Sequence, residues 1–111
     1  MVSGNDRAER LFEELTEDYR QRRGVVFGRM MSSDGLRVNG KIFAMLVRGR
    51  LVVKVPAERA ADLIDRGAGQ AFEPRPGRRM REWVVLDVSD DTIWPDLTAE
   101  AFDYVSTISG R

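Results

Sequence analysis

The sequence has 111 residues, 42% of them hydrophobic, which suits one domain around one modest core and leaves no room for a second. Its 18 basic and 18 acidic residues cancel, so no overall field draws the chain to nucleic acid or to an anionic membrane. Cysteine and histidine are both absent. That excludes disulfides, thiolate or imidazole metal sites and any Ser-His or Cys-His relay, and a non-catalytic protein without a cofactor or metal is expected.

The zero total hides an uneven distribution. Residues 1–19 sum to −4, residues 20–81 to +10 and residues 82–111 to −6. If the fold brings the two ends together, one face is acidic and another basic, although folding can also interleave them. The first residues carry no apolar run of signal or anchor type. The longest apolar stretch, Ile42–Val47, is far short of the roughly 20 residues of a spanning helix. A cytoplasmic protein with no membrane association is therefore expected.

In chain order, Ala8, Leu11, Phe12, Leu15 and Tyr19 recur at helical spacing with acids between them, which predicts an amphipathic helix. Ser3 or Asn5 can cap its start, and Arg20, Arg22, Arg23 and Gly24 suit its end. The texture then changes to Val25-Val-Phe-Gly and a polar turn around Ser32–Gly35. Asn39-Gly40 is a strong hairpin signal, because both residues tolerate the positive φ of a type I′ turn. It should join Leu36–Val38 to Lys41–Val47, which turns again near Arg48-Gly49 into Leu51–Val55. Both faces of Ile42–Val47 are apolar, as for a strand covered on both sides, or by helices on one side and an oligomer contact on the other.

Pro56, the run Ala57–Ile64 and Gly67 read as a short second helix. The prolines and glycine of Glu73–Arg79 read as a loop rather than a ladder. Met80–Leu86, with Trp83-Val-Val-Leu, reads as the last strand. Ile93, Leu97, Ala101, Tyr104, Val105 and Ile108 follow helical spacing, with Asp90 or Asp91 as cap and Pro95 in the first turn. The expected fold is α+β: helices on an antiparallel sheet of about five strands in two layers, in the order α-β-β-β-α-β-β-α.

The most suggestive chemical feature is the cluster Arg75, Arg78, Arg79 and Arg81. Guanidinium forks on a loop can grip phosphates or carboxylates, with Phe72 and Trp83 beside them as stacking surfaces, though a solvated loop has the same composition. Arg22 and Arg23 can extend this patch in space, or simply suit a helix C-terminus. The paired acids Glu13-Glu14, Glu17-Asp18 and Asp90-Asp91 fit caps and wet faces better than a catalytic pair. Lys41 and Lys54 sit at strand ends, where exposed lysines are common. Met30 and Met31 with Phe27 suit a ligand groove or the core. Trp83 and Trp94 are expected to plug the core, or to anchor a homodimer.

Phe27-Gly28, Leu36–Ala44, Gly49–Val55, Ala71-Phe72 and Gly77–Met80 ahead of an aromatic strand together resemble the TfoX/Sxy N-terminal domain. That family shows Met-Phe-Gly-Gly, Asp-Gly-Lys-Met-Phe-Ala, Leu-Tyr-Leu-Lys-Val and a later Lys-Pro-Met turn. Here Arg29 replaces the second glycine, and the stretch before Asn39-Gly40 is longer. A weaker resemblance, carried by the Lys41–Ala44 strand and Trp83-Val84, is to the YjbR-like double-wing proteins, for which DNA binding has been suggested. The resemblance implies one domain over residues 1–111 with a secretion-chaperone-like fold. It further implies a non-catalytic regulatory or binding module, a homodimer, that acts on a protein partner or in transcription-linked control; the alternative is direct nucleic-acid binding through the arginines. A direct competence role is not expected, because the family's C-terminal helical domain has no counterpart in this sequence.

Overall fold

The structure is a computed structural model that describes residues 4–30 and 33–109; Ser3, Met31 and Ser32 lie outside the described residues, as do the side chains of Asn5, Arg29, Met30 and Ser33. Its elements run α1 (Gly4–Arg20), β1 (Val25–Met30), β2 (Ser33–Val38), β3 (Lys41–Val47), β4 (Arg50–Lys54), α2 (Ala57–Asp65), β5 (Gln70–Arg75), β6 (Arg78–Leu86), a 3-10 segment (Val88–Ile93) and α3 (Trp94–Ser109). The six strands form one antiparallel sheet in the order β1-β2-β3-β4-β6-β5. The fold is α+β, as the sequence predicts, with one strand more than expected. Val25–Met30 supplies it, pairing with β2 in unbroken register.

The turns follow from residue chemistry. Asn39 and Gly40 sit at φ 53 and 83, and Arg48 and Gly49 at φ 52 and 76, so both hairpins have the two positive-φ residues of a type I′ turn. Glu73–Arg79 is a correction. Only Pro76-Gly77 turns; Arg75 pairs with Arg78, and the segment is a β-hairpin rather than a loop. Pro76 followed by Gly77 at φ 78 suits the central positions of a type II turn. Pro74 is tolerated because β5 is the sheet's edge, where no further strand needs its missing N–H. The same constraint explains why β6, with Val84, Val85 and Leu86, lies inside β5 although it follows it in the chain.

All three helices lie against one face of the sheet. The core there joins Ala8, Phe12, Leu15 and Tyr19 of α1 and Ala60 and Leu63 of α2 to Trp94, Leu97, Ala101 and Val105 of α3. Against them the sheet sets Leu36, Val38, Phe43, Ala44, Leu46, Leu51, Val53, Val84 and Leu86, with Val55 just beyond β4. Each Val, Leu or Phe among them contributes roughly 1.5–3 kcal/mol when fully buried. The register shifts between Leu36 and Arg37, which pair with Ala44 and Ile42 and leave Phe43 as the extra residue of a bulge. Phe43 and Ala44 therefore both reach the helix side. The Phe43 ring meets Tyr19 at 5.6 Å and Phe102 at 5.4 Å, binding sheet, α1 and α3 in one aromatic trio.

Among the described residues no helix lies on the sheet's other face. Paired residues across all six strands place Gln70, Val85, Val52, Met45, Gly35 and Gly28 in one row there. Val52 and Val85 are buried yet stand apart from the helix-side cluster. The two-sided apolarity of Ile42–Val47 thus combines a bulge with an uncovered second face, not helices on both sides.

The chain after β6 departs in detail from the expected cap. Asp87, rather than Asp90 or Asp91, accepts the capping hydrogen bond, from Ser89 N–H at 3.2 Å, and the 3-10 segment precedes α3. Trp94 fills the core as expected, its indole N–H donating to the Asp87 carbonyl at 3.0 Å. Pro95 does stand in the first turn of α3. No helix of the described residues is long and apolar enough to cross a membrane.

Candidate functional site

The β5–β6 hairpin collects four of the six arginines singled out in the sequence. Arg75 and Arg78 face each other across its tip, and Arg79 and Arg81 follow on β6. Arg79, Arg81 and Gly77 line a groove of about 590 Å³ with Ala57, Glu58 and Ala61 of α2. All four side chains are exposed. Among the described residues none of them enters an ion pair. Four uncompensated guanidinium groups within seven residues give a local positive potential despite the neutral total.

The base of this hairpin is held firmly. The Tyr104 hydroxyl of α3 donates to the Glu82 carboxylate. Lys54 Nζ lies 3.9 Å from Glu82 and 5.9 Å from the Trp83 ring centre, and the Trp83 ring lies 6.4 Å from Phe72. Trp83 is thus half-buried outside the helix-side cluster rather than a core plug. Lys54 is tied to a partly exposed carboxylate, and Lys41 is exposed.

Arg22 and Arg23 do not join the hairpin. The Arg22 guanidinium lies 4.1 Å from the Tyr19 ring centre and 5.2 Å from that of Phe102, with Asp18 at 3.7 Å, so it closes the aromatic trio and the end of α1. Arg23 is exposed in the turn before β1. The strands β1 and β6 have β2, β3 and β4 between them, four spacings or about 19 Å. Arg48 and Arg50 extend the basic character to the opposite end of the sheet, where Arg50 donates to Gln70 at 3.4 Å and lies 4.0 Å from Asp87. The basic middle of the chain is therefore split between two ends of the sheet. Apart from Glu82 on β6 and Asp87 just after it, the acids of both ends lie on α1, the 3-10 segment and α3, where Arg7 pairs with Asp91.

Two further hollows lie elsewhere; of their lining, the sequence offers only Phe27, with Met30 and Met31, for a ligand groove. On the uncovered face Val47, Val52, Ala71, Phe72 and Val85 form a pocket of about 260 Å³, rimmed by Arg48, Arg50 and Glu73. Beside β1, residues of α1 and Phe27 enclose a second groove of about 450 Å³. The apolar second face of Ile42–Val47 signals the first; the second depends on where α1 comes to rest. Among the described residues no group of three or more acidic side chains is placed to hold a metal ion.

The Tyr104–Glu82 contact makes hairpin anchoring depend on pH. Its hydrogen bond to Glu82, then burial, holds the Tyr104 phenol above the ordinary tyrosine value of 10.0. Above pH 10 the folded chain keeps a proton that the unfolded chain has lost, so stability present below that value declines as pH rises through the folded pKa. Tyr104→Phe should cost roughly 1 kcal/mol at neutral pH and flatten the alkaline decline. Tyr19, raised mainly by burial, should leave a residual slope. Thermal unfolding from pH 8 to 11 measures both effects; an unchanged alkaline slope in Tyr104→Phe contradicts the assignment.

A comparison with curated proteins and one with solved structures each gave no match. Among family models, the TfoX N-terminal domain matches residues 17–103, from the end of α1 to the last turns of α3. That span takes in all six strands and the arginine hairpin, but of the groove beside β1 it leaves out Glu9, Phe12, Glu13 and Thr16; covering most of the chain, it shows that the chain belongs to the TfoX N-terminal domain family.

Proposed function

We propose that this chain is a non-catalytic binding or regulatory module of the TfoX N-terminal type, which acts by docking polypeptides and serves transcription-linked control in the cytoplasm. Its first partner is a second copy of itself. The observation that carries this reading is the helix-free face of the sheet. There Val47 and Phe72, over the buried Val52 and Val85, form the apolar floor of a hollow whose rim is polar and bears both signs of charge, Arg48 and Arg50 with Glu73. Apolar surface flanked by both charges can match its own copy about a two-fold axis, each arginine meeting the other chain's glutamate. The family membership supports a regulatory role in the same direction.

The expected outcome is a two-chain mass in sedimentation equilibrium for the native protein, and a one-chain mass for Phe72→Glu with its helical circular dichroism retained. A native protein that stays at one chain up to the highest soluble concentration refutes the self-association.

A second reading, direct nucleic-acid binding, is favoured by the four exposed hairpin arginines that lack ion-pair partners among the described residues. Replacing Arg78, Arg79 and Arg81 together with Ala should weaken binding to duplex DNA and lower the slope of log K against log salt by about 2 to 3. Binding measured by fluorescence anisotropy that keeps its affinity and slope after this change removes the reading.

A further inference from the structure

A sheet of six strands has two edges, here β1 and β5. The β5 edge is blunted: Pro74 lies in it, Arg75 ends it, and its pairing with β6 is interrupted twice. The β1 edge carries one charged residue, Arg29, but neither of the other two protections. It contains no proline, and its six residues pair with β2 without a break.

The hydrogen-bond parity of β1 shows what this edge offers. Asn39 N–H donates to the Gly24 carbonyl at 3.0 Å, which fixes that pair as a bonded one. Continuing the alternation, Val26, Gly28 and Met30 bond to β2, while Val25, Phe27 and Arg29 turn their backbone groups outward. Val25 N–H is used locally, donating to the Arg22 carbonyl at 3.2 Å. Phe27 and Arg29 are left with outward N–H and C=O groups that no described strand meets. Side chains reinforce the opening. Val26 is 62% exposed and Phe27 40%, the two most exposed large hydrophobic residues described, and successive strand positions place them on opposite faces.

The groove on the helix side of this edge gives the occupant its chemistry. Phe12 and Phe27 line it together with Glu9, Glu13, Glu17 and Asp34. The three glutamates stand at four-residue spacing on one stripe of α1. Arg20 also borders the groove but is drawn to Glu17 at 3.2 Å. Glu9 and Glu13 enter no ion pair among the described residues. Thr16, only 5% exposed, also borders the groove, with its hydroxyl shielded from solvent and without a hydrogen-bond partner among the described residues.

We propose that the β1 edge is a docking site for an extended, basic segment of a partner polypeptide, which joins the sheet as a seventh strand and sets its cationic side chains against Glu9 and Glu13. This deepens the protein-docking reading above and rests on it. Main-chain bonds to Phe27 and Arg29 hold the segment, and charge selects it. Charge also decides against a second copy at this edge. Pairing β1 with its own copy would bring two rows of α1 glutamates onto the same face across the junction, like against like. Joining β1 to the β5 edge of another copy would require the proline-bearing strand to serve as the ladder partner, and would give a contact that need not close.

Fluorescence anisotropy of the full chain with labelled heptapeptides tests this. A peptide alternating Lys and Val should bind, more weakly as salt rises; its counterpart with Glu for Lys should not. Methylating alternate backbone nitrogens of the Lys-Val peptide should weaken it at least tenfold, as should Glu9→Lys with Glu13→Lys in the protein. Arg29→Pro, which deletes an outward N–H without touching the β2 ladder, should weaken it too. No binding of the Lys-Val peptide, equal binding of the Glu peptide, or indifference to methylation overturns the proposal. So does a native dimer that Arg29→Pro converts to a monomer, which would give the edge to a second copy. A dimer that persists in Arg29→Pro and is lost in Phe72→Glu, with no peptide bound, would remove the edge site while leaving the sheet-face reading intact.

Discussion

The bulge at Phe43 is the constraint on which this architecture turns. A regular strand at this point would send Phe43 and Ala44 to opposite faces; the extra residue sends both to the helices. Phe43 thereby reaches Tyr19 of α1 and Phe102 of α3 at once, and Arg22 lies over the outer rings of the trio. Sheet and both long helices are locked through one side chain. All three helices are gathered on that side, and the reverse face is left to Val52, Val85 and their neighbours.

The interaction surfaces follow from that one-sidedness. A face without helices stays available to a second layer from another molecule. An edge strand whose helix-side neighbour is an acidic helix is open to backbone pairing, but only for a segment whose charge suits it. The arginine hairpin projects from the other edge, its base fixed by Tyr104, Glu82, Trp83 and Phe72. The zero net charge thus conceals distinct local fields: acidic around α1, basic at the hairpin and again at Arg48 and Arg50. Their separation allows one small domain to present different partners with different chemistry.

Much of the fold was legible in the residues. Apolar spacing marked α1 and α3, Pro56 and Gly67 bracketed α2, and Asn39-Gly40 fixed the β2–β3 hairpin, because these signals act locally. The errors arose where a distant neighbour overrides local punctuation. Pro74 and Pro76 read as a loop, but an edge position removes the penalty on Pro74, and Pro76 simply makes the turn. The inner place of β6 depends on which strand β4 selects across a helical connection. Of the candidate site residues, the hairpin four stay together because they are near in sequence. Arg22 is claimed by rings from Tyr19 and Phe102, and no local pattern announces a contact with a helix eighty residues away.

The central claim, a sheet clad on one side with β1 as its open edge, is tested most directly by amide hydrogen exchange of the dilute, unliganded protein, resolved by residue along β1. The expected pattern alternates: Phe27 and Arg29 exchange quickly, while Val26 and Gly28, which donate to β2, exchange slowly. Uniformly slow exchange through residues 26–29 would mean that the edge is already covered, and would contradict it.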